Sequence, residues 1–132
     1  MKLLIVDDET KLLSLLKEHL SNEFTIETSS EVQTAFDILQ DYVPDGIIVD
    51  WNMPDGGGQL FIETLRDKEE YDYIPILVLT AYDTLIVHNR AIEAGADGYL
   101  AKPASLEQIK TIVLDLINKQ MDAKKVLQNL SS

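Results

Sequence analysis

The residue best placed for chemistry in this chain is a carboxylate that follows a buried apolar run. The segment Gly46–Val49 contains three consecutive β-branched residues, and Asp50 follows them directly. An apolar run without alternation predicts a strand buried on both faces of a parallel sheet, and open α/β folds keep their ligand sites at the carboxyl ends of such strands. Asp50 is therefore a candidate nucleophile or metal ligand. Taken alone, a role in starting the turn is an equally good interpretation.

Three further apolar runs are followed or ended by polar side chains. Asp7 and Asp8 follow the first run, Thr80 ends a run at 75–80, and Lys102 follows a short run later in the chain. The carboxyl ends of parallel strands lie along one edge of a sheet, so these groups are expected to converge with Asp50. Each also has a plainer interpretation: Asp8 as a helix cap, Thr80 as an ordinary strand residue, and Lys102 as a solvated lysine before a turn.

Converging carboxylates need charge compensation. Two carboxylates about 5 Å apart repel by roughly 3 kcal/mol at an effective dielectric constant of about 20. Mg²⁺, which keeps several water ligands, is favoured over Ca²⁺ because few protein ligands are available. A metal and Lys102 would neutralise the oxygens of a phosphoryl group, and Thr80 would donate a hydrogen bond to it. Asp50, centred on this edge, would then act as the nucleophile that forms an aspartyl phosphate.

The elements that must position these residues follow from the periodicity of the apolar side chains. Five runs that predict strands alternate with segments of helical spacing, which implies parallel pairing through right-handed crossovers. The predicted fold class is α/β: a doubly wound five-stranded parallel sheet of order 2-1-3-4-5, in a flavodoxin-like three-layer α/β/α sandwich. Its switch point lies between the first and third strands. The predicted strands cover about 2–6, 24–28, 46–50, 75–80 and 99–101, and the predicted helices about 9–21, 30–39, 58–68, 84–94 and 105 onward.

Local signals predict several element boundaries. Segments 30–33 and 105–108 each have Ser followed three residues later by Gln, which predicts a capping box at a helix start. Gly95 is placed to end the helix before it, and segment 67–72 predicts a charged loop. The alternating run at 24–28 predicts a half-exposed edge strand.

The composition excludes several classes of protein. The 132 residues, 45% of them hydrophobic and 26% charged, are typical of one globular domain. The absence of cysteine excludes disulfides and thiol chemistry, and the apolar runs are too short to span a membrane. The net charge of −12, from 11 basic and 23 acidic residues, should repel nucleic acid. We expect a cytoplasmic protein without direct nucleic-acid or membrane binding.

In combination, these residues resemble the receiver domain of two-component response regulators, especially the chemotaxis regulators within that family. The resemblance covers about residues 2–118. Its motifs all stand at predicted strand ends: Asp7-Asp8, Asp50-Trp51-Asn52-Met53-Pro54, Thr80-Ala81, Tyr99 and Lys102-Pro103.

The resemblance implies that Asp50 accepts a phosphoryl group from a phosphohistidine of a sensor histidine kinase or phosphotransfer protein. It implies Mg²⁺, with Mn²⁺ as a substitute, held by Asp8, Asp50 and the backbone carbonyl of Asn52, with Asp7 acting through water. It further implies phosphoryl contacts from Thr80, Ala81 and Lys102, a cis bond before Pro103, and tuning of spontaneous dephosphorylation by Asn52 and Tyr82.

The resemblance also implies a switch in which Thr80 and Tyr99 move. Their movement would change the surface made by the fourth helix, the last strand and the last helix, and so alter binding to an output protein or an output domain outside this chain. Such a receiver is a signalling module with self-phosphorylation and autodephosphorylation, and not a turnover enzyme.

One position departs from the family pattern. The family often has Asp directly before the glycine that matches Gly58, whereas this chain has Gly57 there and Asp55 upstream. Three consecutive glycines, 56–58, are expected to make this loop more mobile than usual.

The last helix is predicted to continue beyond the domain. We expect a receiver domain over 1–118, with 119–132 as a helical extension or a flexible tail and no room for an output domain. Alternating spacings of three and four form a heptad seam in which Gln120 is the polar position. A coiled-coil stem for dimerisation, a linker and a folded-back tail all remain open. The seam residues are Leu106, Ile109, Val113, Leu116, Gln120, Ala123, Leu127 and Leu130.

Two other functions compete with a signalling module. A phosphohydrolase of the haloacid-dehalogenase type needs a second Asp two residues after the nucleophile as general acid, and this chain has Asn52 there. A flavodoxin-like cofactor binder needs a phosphate loop rich in Ser, Thr or Gly after the first strand. Asp7, Asp8 and Glu9 would instead repel a phosphate.

Overall fold

A five-stranded parallel sheet of order 2-1-3-4-5 forms the centre of the molecule and confirms the predicted fold class. The structure is a computed structural model, and it describes residues 1–54 and 56–131. Asp55, which the sequence singled out, lies outside the described residues. The strands are β1 (Lys2–Val6), β2 (Thr25–Ser29), β3 (Gly46–Asp50), β4 (Ile76–Thr80) and β5 (Gly98–Ala101), and the helices are α1 (Thr10–Leu20), α2 (Val32–Leu39), α3 (Gly57–Arg66), α4 (Leu85–Ala94) and α5 (Leu106–Ser131).

Side chains of the central strands alternate between two hydrophobic cores. Leu3 and Ile5 of β1 belong to the core beneath α1 and α5, whereas Leu4 and Val6 belong to the core beneath α2, α3 and α4. Because both faces are covered, β3 and β4 are buried at every position. This explains their unbroken apolar sequences. The edge strand β2 alternates between buried and more exposed positions, as predicted.

The predicted charged loop contains a short 3₁₀ helix at Glu69–Tyr71, so the loop prediction was wrong there. One guanidinium group orders this segment: Arg66 Nη1 donates to the carbonyls of Tyr71 and Asp72 at 3.0 and 3.2 Å. Arg66 Nε also donates to the carbonyl of Gly95 at 2.9 Å. Gly95 has a φ of 115° and ends α4 as predicted.

The two predicted capping boxes have different outcomes. Ser105 Oγ accepts a hydrogen bond from the backbone N–H of Gln108 at 3.0 Å, which confirms the cap of α5. The prediction of a capping box at the start of α2 was wrong. Glu31 occupies the capping position, and its side chain makes no capping hydrogen bond. The strand before it runs one residue further than predicted. The hydroxyl of Ser29 at its end bonds to the backbone of Glu31.

Helix α5 contributes to the core along its first half. Ile109, Val113 and Ile117 are buried in the core beneath α1 and α5, whereas every residue from 121 to 130 is exposed. A domain boundary near 118 therefore stays a prediction. Within the ranges that the structure describes, no helix combines the length and hydrophobicity needed to cross a bilayer.

Adjacent leucines of α1 allow a matched test of this core. Leu16 is 0% exposed and Leu15 is 43% exposed. We expect Leu16→Ala to lower the free energy of unfolding by about 2–5 kcal/mol, because it leaves a cavity, and Leu15→Ala to lower it by less than about 1 kcal/mol. Urea unfolding measures both changes in the free energy of unfolding, provided that the m-value is the same in the variants and the wild type. Equal losses would contradict the assignment of α1's buried face.

Candidate functional site

The carboxyl ends of four strands bring the predicted polar residues to one edge of the sheet. Asp50 is the last residue of β3 and pairs with Leu79, one position before Thr80 at the end of β4. Asp7 directly follows β1, and Lys102 directly follows β5. The predicted convergence is confirmed for these side chains, because the strands are parallel and in register.

Three carboxylates form the acidic part of this site. Asp7, Asp8 and Asp50 each have an oxygen within 4.8 Å of the others. Asp7 is 1% exposed and Asp50 is 5% exposed, whereas Asp8 is open to solvent. Asp8 does not cap α1, since the capping position is Glu9. The helix-cap interpretation of Asp8 was therefore wrong.

Backbone N–H groups orient the two buried carboxylates. Glu9 N donates to Asp7 Oδ1 at 2.9 Å, and Asn52 N donates to Asp50 Oδ1 at 3.1 Å. Asp50 therefore does begin a turn, as its plainer interpretation held, while Oδ2 lies 3.6 Å from Lys102 Nζ. The turn and the site use different oxygens of one carboxylate.

Burial makes negative charge costly at Asp50. Desolvation raises the pKa of Asp50, and the charges of Asp7 and Asp8 act in the same direction. The N–H of Asn52 and the ammonium group of Lys102 oppose this effect without cancelling it. A site of oxygen ligands with excess negative charge suits a hard cation such as Mg²⁺.

Lys102 is the cation of the site, and its side chain is only 14% exposed. Its ammonium group contacts Asp7 at 2.9 Å and Glu9 at 3.1 Å. Burial alone would lower the pKa of Lys102, but the hydrogen bonds that it donates to these two carboxylates raise it. The interpretation as a solvated lysine was wrong. Sequence reasoning also missed the role of Glu9, although its place directly after Asp7 and Asp8 was a signal.

Thr80 connects the site to the segment after β4. Its hydroxyl donates to Asn52 Oδ1 at 2.8 Å and accepts from the N–H of Tyr82 at 3.1 Å. The hydroxyl of Tyr99 donates to the carbonyl of Tyr82 at 2.6 Å. Ala81 lines a cavity of about 350 Å³ together with Lys102. Thr80 is therefore more than an ordinary strand residue, because its hydroxyl bridges two segments.

The glycine loop approaches the site closely. An added Cβ at Gly58 would lie 2.5 Å from the carbonyl oxygen of Asp50, and one at Gly57 would lie 2.8 Å from that of Trp51. Gly57 also has a φ of 59°, which disfavours any other residue. Close packing thus requires glycine at 57 and 58, and the greater mobility expected from the sequence stays a prediction.

One smaller expectation is also met, because the peptide bond between Lys102 and Pro103 is cis. Trp51 is buried next to Asp50. The role of the Asn52 backbone carbonyl as a metal ligand stays a prediction.

The family model and the similar sequences all identify the same protein family. The model of the response regulator receiver domain matches residues 3–114. The chain is 33% identical over 135 residues to response regulator MprA of Mycobacterium avium, covering 99% of this chain and 58% of that protein. It is 29% identical over 120 residues to response regulator Rre1 of Synechocystis, covering 89% and 52%. The chain thus spans about half the length of the curated relatives it matches.

Solved structures agree with these sequence matches. The chain is similar to the chemotaxis response regulator CheY4 of Vibrio cholerae, with a TM-score of 0.82 and 28% identity over 87% of this chain and 97% of that one. It is also similar to the signal receiver domain of a histidine kinase from Syntrophus aciditrophicus. That match has a TM-score of 0.81 and 27% identity, and covers 89% of this chain and 90% of that one.

We expect Mg²⁺ to bind at the cluster of three carboxylates and to change the fluorescence of Trp51, the single tryptophan. Asp8→Asn should weaken this binding by at least about tenfold, since losing even an outer-shell partner costs that much at metal sites. Fluorescence titration with Mg²⁺ measures the affinity. Glu18→Gln, which removes an exposed carboxylate of α1, should bind like the wild type. Equal affinities for all three proteins would show that the carboxylates do not form the site.

Proposed function

The chain belongs to the receiver domain family of two-component response regulators, and on this premise we propose that Asp50 accepts a phosphoryl group from a phosphohistidine. The donor would be a sensor histidine kinase or a phosphotransfer protein. Phosphorylation would change the surface made by α4, β5 and α5 for an output protein or output domain. By its family the chain is a signalling domain, and receivers of this family interact with sensor kinases and output domains.

The different surroundings of the two carboxylate oxygens of Asp50 carry the proposal. Oδ1 is held by the N–H of Asn52, and Oδ2 points toward the ammonium group of Lys102 at 3.6 Å. Thr80 at the end of β4 places a neutral hydroxyl on the same edge, where it bonds to Asn52. A nucleophile, a cation and a hydroxyl donor are the parts that phosphoryl transfer requires.

The transfer step is a simple displacement. A carboxylate oxygen of Asp50 forms a bond to phosphorus while the bond from phosphorus to the imidazole nitrogen of the donor histidine breaks. The imidazole takes a proton from solvent water on its other ring nitrogen and leaves as the neutral group. Lys102 offsets the charge of the phosphoryl oxygens, Thr80 donates a hydrogen bond to one of them, and Ala81 leaves room beside them.

Receiver domains bind Mg²⁺ at an acidic pocket, and the carboxylate cluster of this chain has the donor set for it. We propose that Asp8, Asp50 and the carbonyl of Asn52 hold the ion, with Asp7 acting through water. When bound, the ion supplies positive charge that stabilises the phosphoryl oxygens. Lys102 also carries positive charge at this edge, and its shortest contacts go to Asp7 and Glu9.

Hydrogen bonds offer a route from the site to the surface. If Thr80 turns its hydroxyl toward a phosphoryl oxygen, it gives up its bond to Asn52 and changes its bond to Tyr82. The Tyr82 carbonyl holds the hydroxyl of Tyr99, so that residue responds too. Phosphorylation shifts the balance between arrangements that already exist. Asn52 and Tyr82 are also the positions that we propose tune dephosphorylation.

Acetyl phosphate provides a direct test of the acceptor. With Mg²⁺, we expect intact mass to show a gain of one phosphoryl group in the wild type and no gain in Asp50→Asn, because the nucleophilic oxygen is gone. Asp41→Asn, which alters an exposed carboxylate, should gain one group like the wild type. Labelling of Asp50→Asn would place the acceptor elsewhere. Steady hydrolysis of p-nitrophenyl phosphate would instead support the phosphohydrolase.

A homodimer could form through the last helix or through the surface of α4, β5 and α5. In the predicted heptad register Lys119 and Lys124 would face each other across a parallel pair, and Lys124 lies 5.9 Å from the ring of Tyr73 in its own domain. We therefore expect 1–132 and 1–118 both to be monomers before phosphorylation. Light scattering measures this, and a dimer of 1–132 alone would support the coiled-coil stem.

A further inference from the structure

Glu9 adds a fourth carboxylate to the site, and the proposed phosphoryl transfer gives it no role. Its Oε1 lies 3.1 Å from the ammonium nitrogen of Lys102, and its side chain is 60% exposed. Glu9 also lines the cavity of about 350 Å³ that contains Ala81 and Lys102. Small solutes can therefore reach this carboxylate, and its partner is a group that the proposed reaction uses.

The ammonium group of Lys102 lies closer to Glu9 than to the proposed acceptor. The distances from its nitrogen are 2.9 Å to Asp7, 3.1 Å to Glu9 and 3.6 Å to Asp50. The first two are hydrogen-bonding distances, whereas the third is beyond the usual range of an N–H···O bond. The positive charge is thus bonded to Asp7 and Glu9, and not to Asp50.

The side chain of Glu9 can be changed without altering the carboxylates that are suited to a metal ion. Those carboxylates are Asp7, Asp8 and Asp50. Asp7 does accept a hydrogen bond from Glu9, but the donor is the backbone N–H, which every substitution except proline keeps. A substitution of the exposed Glu9 side chain therefore changes the charge beside Lys102 and leaves the buried acids in place.

We propose that Glu9 is a specificity-determining residue that slows phosphorylation of Asp50 by small phosphodonors in proportion to their negative charge. This inference rests on the proposed function, because it concerns charge at the same acceptor. Labelling of the wild type tests that function, whereas the comparison of Glu9 variants tests the inference.

The first physical cause is competition for Lys102. A phosphoryl group that enters beside Asp50 needs the positive charge of Lys102 on its oxygens. Glu9 attracts the same ammonium group and already accepts a hydrogen bond from it. Any movement of the ammonium group toward the phosphoryl oxygens lengthens its contact with Glu9, so part of the stabilisation is lost.

The second cause is direct repulsion between Glu9 and the donor. A phosphoryl group that also contacts Lys102 would place its phosphorus about 6–7 Å from the Glu9 carboxylate, since the ammonium group lies between them. At this distance two unit charges change a rate by about threefold at the dielectric constant of water. A doubly charged donor feels twice this free energy, and salt reduces it, which gives about three- to tenfold.

The same charge matters less for a donor that a docked protein carries. Contacts between two protein surfaces, far from the phosphorus, contribute binding energy that offsets a local repulsion. A free acyl phosphate makes few other contacts, so the repulsion reaches its rate in full. Glu9 would therefore make labelling by a partner protein more favourable relative to labelling by small molecules.

The first experiment compares rates of labelling by acetyl phosphate, which is doubly charged at neutral pH. Intact mass follows the reaction at low salt, with Mg²⁺ saturating for each protein. Glu9→Gln, which loses the charge but keeps an oxygen that can accept from Lys102, should be labelled about three- to tenfold faster than the wild type. Equal or slower labelling of Glu9→Gln would overturn the proposal.

Two matched variants show whether the charge next to Lys102 is responsible. Glu9→Asp keeps the charge and should stay near the wild-type rate. Glu18→Gln removes an exposed carboxylate of α1 and should also stay near that rate. If Glu18→Gln accelerated labelling as much as Glu9→Gln, the net charge of the domain would be the cause and the role of Glu9 would be refuted.

The second experiment changes the donor. Phosphoramidate carries one negative charge fewer than acetyl phosphate at neutral pH, because its nitrogen is protonated. The advantage of Glu9→Gln over the wild type should therefore fall to about two- to threefold. An equal advantage with both donors would show that Glu9 acts on the acceptor, and would contradict a role in donor choice. If neither donor labels the wild type, the proposed function itself fails.

Discussion

Negative charge held at the edge of the sheet is the constraint on which the rest of the site depends. Asp7 and Asp50 are almost fully buried, and Asp8 lies beside them. Burial of a carboxylate is costly unless a cation or hydrogen-bond donors compensate it. The backbone N–H groups of the following turns supply part of this compensation, and Lys102 supplies a further part.

The ammonium group of Lys102 lies at different distances from the neighbouring carboxylates. It contacts Asp7 and Glu9 at hydrogen-bonding distance and stands further from Asp50. Asp50 is consequently the least compensated of the buried acids, which agrees with its raised pKa. The same lysine is near enough to follow a new negative group, since its long side chain can exchange one carboxylate partner for another.

The contrast between a rigid centre and a lightly held surface explains how such a site can act at a distance. Strands β3 and β4 are buried at every position, so little movement is available within the sheet. Movement is available where single hydrogen bonds and one ring stack connect Thr80 to Tyr99 and His88. Under the proposed function, a small change at Thr80 would be expressed in the exposed first half of α4 and not in the core.

Most of the fold could be predicted, because the signals that specify it are local. Unbroken apolar runs identified the buried strands, and helical spacing identified the helices between them. The errors lie where a distant group decides a local structure. Arg66 orders the short 3₁₀ helix at Glu69–Tyr71, and the pairing of Ser29 with the backbone of Glu31 replaces the capping box predicted for α2. Neither interaction has a periodic pattern that a sequence would reveal.

The candidate site divides in the same way. The sequence by itself determined that carboxylates, a threonine and a lysine stand at strand ends, because parallel topology makes a strand's last residue a residue of one shared edge. Only the tertiary structure decided that Asp7 is buried while Asp8 is exposed, that Glu9 binds Lys102, and that His88 stacks on Tyr99. These depend on side-chain directions and distances between elements far apart in the chain, which residue order alone does not contain.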